Sequence, residues 1–321
     1  MAHGVFLDSG SLYASDLDLS PLHAVIDSWQ WHDSTAASEV PQRIANAEIV
    51  ISNKILLDEH ALSAAKKLKL ICVAATGINN VDIAAAAKRG IVVCNVRNYA
   101  TAAVVQHVFA LVLTLRNHIV EYHAAVQGGA WQRSVHFSCL EFPIAELAGK
   151  TFGIVGYGVL GRAVADVARA FGMQEVVAEV PGHVAKTAVP RLPFEQLLRC
   201  VDVLSLHCPL TPQTEKLVNR DRLALMKRDA IVINTARGGL IDEQALVVAL
   251  QQGNLGGAGI DVLNNEPPTA GNVLLQTGLK NLIVTPHIAW GSRESRQRLI
   301  NELVGNIKAF LAGAPRNVVN L

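Results

Sequence analysis

Six residues constrain this chain more than any others: Gly156-Tyr-Gly158-Val-Leu-Gly161, three glycines at G-x-G-x-x-G spacing. A short apolar run, Thr151-Phe-Gly-Ile-Val, precedes them, and a segment with apolar Leu160, Ala163, Val164, Val167, Ala168 and Phe171 follows, closing at Gly172. The pattern predicts strand, tight turn and helix. Gly156 permits the turn, Gly158 lets the backbone come close to a pyrophosphate, and Gly161 lets the helix lie near the strand. The N–H groups of Val159 and Leu160 then face phosphate. A second apolar run, Val176-Val-Ala178, ends at Glu179, where a ribose-binding acid belongs. The expected ligand is a dinucleotide. Because Val180 rather than a basic residue follows Glu179, which would repel a 2′-phosphate, NAD is expected over NADP.

The bulk composition narrows what such a site can serve. A length of 321 residues, half of them hydrophobic, suggests two domains with a core in each. A net charge of +1 leaves no electrostatic footprint for nucleic acid or an acidic membrane surface. The five cysteines, Cys72, Cys94, Cys139, Cys200 and Cys208, form no C-x-x-C pair, so neither a disulfide framework nor a metal site is indicated, and a cytoplasmic location is expected. The N-terminus lacks the basic and apolar regions of a signal peptide. The longest apolar stretch, residues 102–115, is interrupted by Gln106 and His107 and is too short to span a bilayer. It reads as part of one buried helix over residues 101–126.

A βα rhythm runs on both sides of the glycine turn. Before it, apolar runs at residues 5–7, 48–51, 70–74 and 91–94 alternate with helical segments at 58–68 and 82–88, which predicts a small parallel α/β unit. Residues 128–147 read as an irregular connecting arm. After the glycine turn, near-continuous apolar runs at 203–206, 230–234, 257–262 and 282–285 predict strands covered on both faces. Residues 294–311 have helical spacing and are assigned back to the first unit. The predicted fold is α/β: two doubly wound parallel-sheet domains, with a Rossmann NAD-binding domain (99–289) inserted into a smaller flavodoxin-like substrate domain (1–98 plus 290–321).

Ligands of such sheets collect beyond the carboxyl ends of the strands. Arg237, Glu266 and His287 each follow a late strand, so they are expected at one edge. Together they supply an anion clamp, a proton donor and a carboxylate that favours the charged donor, which is what reduction of a keto acid beside a nicotinamide requires. The loop Ala75-Thr76-Gly77 follows an early strand and can offer N–H groups to an anion.

Six stretches carry a resemblance across nearly the whole chain: Ala75-Thr-Gly-Ile-Asn-Asn-Val-Asp82, Gly156-Tyr-Gly-Val-Leu-Gly161, His207-Cys-Pro-Leu-Thr-Pro-Gln-Thr214, Asn234-Thr-Ala-Arg-Gly-Gly239, Gly259-Ile-Asp-Val-Leu263 with Glu266-Pro-Pro268, and Thr285-Pro-His-Ile-Ala289. The sequence resembles the D-isomer-specific 2-hydroxyacid dehydrogenases, and within them bacterial glycerate dehydrogenases, or hydroxypyruvate reductases. The resemblance implies that Arg237 binds substrate carboxylate and carbonyl, that His287 is the general acid/base and that Glu266 pairs with it. It implies that the backbone of Ala75, Thr76 and Gly77 holds the carboxylate, and that Thr101, Cys208, Pro209, Thr214, Thr235, Ala236 and Asp261 line the cofactor. Trp290, three residues beyond His287, is expected to wall the substrate pocket by its bulk, or to anchor an interface.

The function so implied is NADH-dependent reduction of a small 2-keto acid, hydroxypyruvate or glyoxylate, to D-glycerate or glycolate, and its reverse, by a homodimer. Two alternatives stay open: another D-2-hydroxyacid specificity, and a non-catalytic NAD(H)-sensing binding protein like the C-terminal-binding-protein corepressors. Phosphoglycerate fits less well, because residues 75–82 contain no basic side chain for a phosphate.

Overall fold

The computed structural model describes residues 2–183 and 189–320. The chain divides into two compact units, Met1–Ala100 with Gly291–Leu321, and Thr101–Trp290. Both are built on wholly parallel sheets.

In the first unit, β1 (His3–Phe6), β2 (Ser28–Trp31), β3 (Ile49–Ser52), β4 (Leu70–Val73) and β5 (Val92–Cys94) pair in the order β2-β1-β3-β4-β5. This is the flavodoxin-like order. Every residue of β3 and β4 is buried, which is why their apolar runs are uninterrupted. The helices Glu59–Ala64 and Ile83–Lys88 start where Asp58 and Asp82 accept hydrogen bonds from the N–H groups of Ala61 and Ala85. The strand β2 is absent from the sequence-based expectation. It is a four-residue edge strand that alternates between exposed and half-buried positions, too short for its period to register.

The helix Arg293–Leu311 completes this unit, capped by Ser292 and packed on β4, with Leu299, Ile300, Leu303 and Ile307 wholly buried. Asn306, also wholly buried, donates to Asn95 O at 2.9 Å and accepts from Arg316 Nε and Asn317 Nδ2. Asn320 Oδ1 takes the N–H of Val93 at 2.9 Å. At the end of β1, buried Asp8 accepts the N–H groups of Asn53 and Lys54 at 2.8 and 2.7 Å. Burial pushes its carboxyl up, and those two donors pull the other way.

In the second unit, β6 (Thr151–Val155), β7 (Gln174–Val177), β8 (Val203–Leu206), β9 (Ile231–Asn234), β10 (Gly257–Ile260) and β11 (Leu282–Val284) pair in the order β11-β10-β9-β8-β6-β7. Leu192 extends the β7 edge by an isolated parallel bridge to Ala178. The chain therefore grows to one side of β6 first and then to the other. The crevice at this reversal is where a doubly wound sheet takes its ligand.

The helix expected over residues 101–126 is two helices. Thr101–Asn117 packs on the helix Val159–Ala170 and on β9 and β10, and the ring of Phe109 stacks on Phe152 and Phe171 with centroids 5.7 and 5.4 Å away. At His118 the backbone turns left-handed (φ 52°) and Ile119–Gln127 leaves at 55°. The first helix has core to bury against and the second buries no residue, so the change of direction follows the edge of the core. Tyr122 instead ties the second helix to the arm, its hydroxyl donating to Phe142 O at 2.6 Å. No single helix among the described residues is long and apolar enough to cross a membrane. These two pass that test only as a bent pair.

Candidate active site

The turn between β6 and the helix Val159–Ala170 is shaped by its glycines. Gly156 has φ 98°, and a Cβ on it would lie 2.6 Å from the backbone of His207 and Cys208. A Cβ on Gly161 would come within 2.1 Å of Gly156 O. Apart from Gly158 and its two chain neighbours, no atom of the described residues lies within 4 Å of where a Cβ on Gly158 would be. Open space thus faces the helix N-terminus, whose first-turn N–H groups include those of Val159 and Leu160. Glu179, exposed beyond β7, lines a cavity of about 450 Å³ together with His183, Arg191 and Phe194.

Arg191 is a residue that sequence reasoning misses, because it does not directly follow Glu179. It comes twelve residues later and donates to Ala178 O at 3.3 Å, an approach that only the bridge between Ala178 and Leu192 creates.

Beyond β8, burial pushes the Cys208 thiol up to about 11 and His207 down to about 4, so both present neutral groups at neutral pH. The Thr214 hydroxyl donates to Pro209 O and accepts from Thr211 N–H, both at 2.8 Å, which closes the 208–214 turn. Beyond β9, wholly buried Asn234 takes the N–H of Ala236 at 3.0 Å and donates to Arg237 O at 2.9 Å. Between them, Thr235 Oγ1 is buried without a partner among the described residues. An orphaned hydroxyl at a strand end, with the open space at Gly158, fits a bound dinucleotide. Thr101 is the first residue of its helix.

Arg237 is half-buried, donates to Ala236 O at 2.7 Å, and among the described residues has no carboxylate partner. Its cation is therefore available to an external anion. The next residue, Gly238, touches the loop beyond β10 so closely that a Cβ would lie 2.1 Å from Leu263 C, which brings the loop carrying Arg237 against the loop carrying Glu266. His287 Nδ1 donates to Glu266 Oε2 at 2.6 Å, and Glu266 Oε1 accepts from Leu263 N–H at 2.7 Å. With a hydrogen on Nδ1, Nε2 is left as the ring atom able to take or give a proton, and it has no partner among the described residues.

The turn bearing His287 is wound around Asp261, which is buried at 1% exposure. Asp261 Oδ1 accepts from Thr285 Oγ1 at 2.5 Å and from Ile288 N–H at 2.9 Å, and Oδ2 accepts from Ala289 N–H at 2.9 Å. His287 N–H donates to Asp261 O at 2.8 Å, and Trp290 Nε1 donates to His287 O at 2.9 Å. His107, noticed in the sequence only as an interruption of an apolar stretch, reaches the same group, its Nε2 2.9 Å from Thr285 Oγ1.

The loop Ala75-Thr76-Gly77 belongs to the first unit. Ala75 O accepts from Val96 N–H at 3.0 Å, Thr76 O accepts from Asn95 Nδ2 at 2.7 Å, and Thr76 Oγ1 donates to Val96 O at 2.8 Å. The carbonyls of Ala75 and Thr76 are thereby held, while the N–H groups of Thr76 and Gly77 meet no acceptor among the described residues. That polarity suits an anion.

Comparison with known proteins identifies the family. The model of the D-isomer specific 2-hydroxyacid dehydrogenase NAD binding domain matches residues 109–289. The chain is 44% identical to a glycerate dehydrogenase of Methylorubrum extorquens, over 98% of both chains. It is 38% identical to a hydroxypyruvate reductase of Blautia hydrogenotrophica, over 98% of this chain and 99% of that one. Among solved structures, the NADPH-dependent glyoxylate/hydroxypyruvate reductase of Sinorhizobium meliloti, in complex with NADP and malonate, superposes with a TM-score of 0.83 at 26% identity, over 99% and 96% of the two chains. The second unit carries an NAD-binding domain, and the chain belongs to the D-isomer-specific 2-hydroxyacid dehydrogenase family.

Proposed function

We propose that this chain reduces small 2-keto acids with NADH, taking hydroxypyruvate and glyoxylate to D-glycerate and glycolate, and runs the reverse reaction. The observation that carries this reading is the His287–Glu266 pair, at 2.6 Å, on a loop that touches the one bearing an arginine with no acidic partner among the described residues. Bound NADH would supply the hydride. Arg237 would bind the substrate carboxylate and polarise the carbonyl, and the Thr76 and Gly77 N–H groups are assigned to an anion as well. As negative charge gathers on the carbonyl oxygen, His287 Nε2 would give its proton there. Glu266 holds the opposite edge of the ring, so the imidazole keeps its aim as it gains and loses charge. The names of the bacterial relatives supply the substrate class. The first unit would be the substrate domain. The five cysteines are free thiols, which fits the cytoplasm.

Cofactor choice turns on Glu179, whose carboxylate would accept from a ribose 2′-OH and repel a 2′-phosphate, against Arg191 on the same cavity. Steady-state kcat/KM with hydroxypyruvate is expected to favour NADH over NADPH by about tenfold, which is ~1.4 kcal/mol of discrimination. Equal or better use of NADPH would shift the assignment to Arg191. A complete lack of turnover with every small 2-keto acid would favour a cofactor-sensing binding protein instead.

The two directions should have opposite pH profiles, because reduction needs protonated His287 and oxidation needs it neutral. In Glu266→Gln the ring loses the carboxylate that accepts from Nδ1 and fixes its tautomer, so kcat should fall in both directions. His287→Ala should lower both directions by about a hundredfold or more. An unchanged kcat in Glu266→Gln removes that pairing from the mechanism, and full activity in His287→Ala removes His287.

Trp290 is proposed to exclude branched acids by bulk. Trp290→Ala should raise the relative rate with a branched 2-keto acid, while Trp290→Phe, which keeps a ring but gives up the bond to His287 O, should not. If the two variants share one specificity and differ from wild type only in rate, the indole is a brace for His287 rather than a wall.

We further propose a homodimer through the arm, where Val135 and Phe137 are each 92% exposed and Leu140 is 78% exposed, an apolar surface that a second copy would cover. Sedimentation velocity should return twice the chain mass for wild type and a single chain mass for Phe137→Glu. A wild-type monomer would refute the assembly.

A further inference from the structure

His107 lies on the buried side of the helix Thr101–Asn117, its side chain 18% exposed, with Nε2 2.9 Å from Thr285 Oγ1 and 3.4 Å from Asp261 Oδ1. A threonine hydroxyl has one hydrogen, and that of Thr285 goes to Asp261 Oδ1 at 2.5 Å. Thr285 Oγ1 is therefore an acceptor toward the imidazole, and His107 Nε2 carries the hydrogen. The donors run in one direction, from His107 to Thr285 to Asp261. Asp261 in turn takes the N–H groups of Ile288 and Ala289, so its anchors flank His287 on both sides. His287 itself sits at φ 54°, a left-handed backbone that a non-glycine residue adopts only when its surroundings impose it.

We propose that His107 is a positioning residue for the acid/base His287. Its N–H keeps the Thr285 hydroxyl turned to Asp261, and the carboxylate so held keeps the 285–289 turn, and hence Nε2 of His287, in register with the substrate oxygen. Without that donor, Thr285 can adopt another χ1 rotamer, and a buried carboxylate oxygen is left short of a hydrogen. The role rests on the reductase reading above.

Three variants of the whole chain separate a donor from a space-filler: His107→Gln keeps an N–H, His107→Phe keeps the ring volume without one, and Thr285→Val removes the relay hydroxyl at constant shape. The readouts are kcat for hydroxypyruvate reduction, the NADH dissociation constant by fluorescence, and the ring resonances of His287, identified by their loss in His287→Ala. His107→Phe and Thr285→Val should lower kcat by tenfold to about a hundredfold, the range for a misaimed reacting group. Both should leave NADH binding unchanged and move the His287 resonances. His107→Gln should stay close to wild type, and the double variant His107→Phe/Thr285→Val should be no worse than either single one, since both break the same chain. The proposal is overturned if Phe outperforms Gln, if losses in the double variant add, or if the His287 resonances do not move. Should wild type turn over no 2-keto acid, the reductase reading fails while the resonances still decide whether His107 sets the ring. If His107→Phe does not fold, His107→Gln and Thr285→Val decide between the same two outcomes: a kept N–H near wild type with a lost hydroxyl impaired supports the relay, and equal rates in the two overturn it.

Discussion

A carboxylate shut away from water must be satisfied by hydrogens, and Asp261 shows what that requirement builds. At 1% exposure, it draws in the hydroxyl of Thr285 and the backbone N–H groups of Ile288 and Ala289. The chain between those donors has to bend, and His287 sits at the bend. Asn234 does the same for the neighbouring loop with an amide, gathering Ala236 N–H and Arg237 O so that the Arg237 turn has one shape. The histidine and the arginine of the candidate site are thus both mounted on loops wound around buried polar side chains.

The parallel sheet decides where those loops meet. All six strands of the second unit run the same way, so the turn at Gly156 and the residues Cys208, Arg237, Asp261 and His287 all follow strand carboxyl ends and share one edge of the sheet. These candidate residues are distributed over more than a hundred positions of sequence and collected by strand direction alone. The first unit repeats the device in miniature, with buried Asp8 at the end of β1 accepting the N–H groups of Asn53 and Lys54.

Much of this was legible in the residues. The glycine spacing, the acid after the second strand and the uninterrupted apolar runs each follow from one local rule, so the two parallel sheets could be read from the chain alone. What was not legible depends on burial or on partners distant in sequence. The strand Ser28–Trp31 is a half-buried edge without a clear period. The break at His118 reflects where the core ends, which apolar content does not report, since the residues on both sides are apolar. Arg191 comes beside Glu179 only because Leu192 pairs with Ala178. His107 looked like a blemish in an apolar helix until Thr285, 178 positions later, turned out to face it.

The first unit is assembled from both sides of the second. Its sheet is closed by the helix Arg293–Leu311, by Asn306 bonded to Asn95 and by Asn320 bonded to Val93. On a ribosome, the strands of the first unit emerge first and then wait, with the face destined for that helix uncovered, while nearly two hundred residues of the second unit are made. The second unit is continuous and can close on itself as soon as it is out. The early strands, although synthesised first, are therefore finished last, and the exposure of β4 during that interval is the period when a chain of this design is most vulnerable to association with its neighbours.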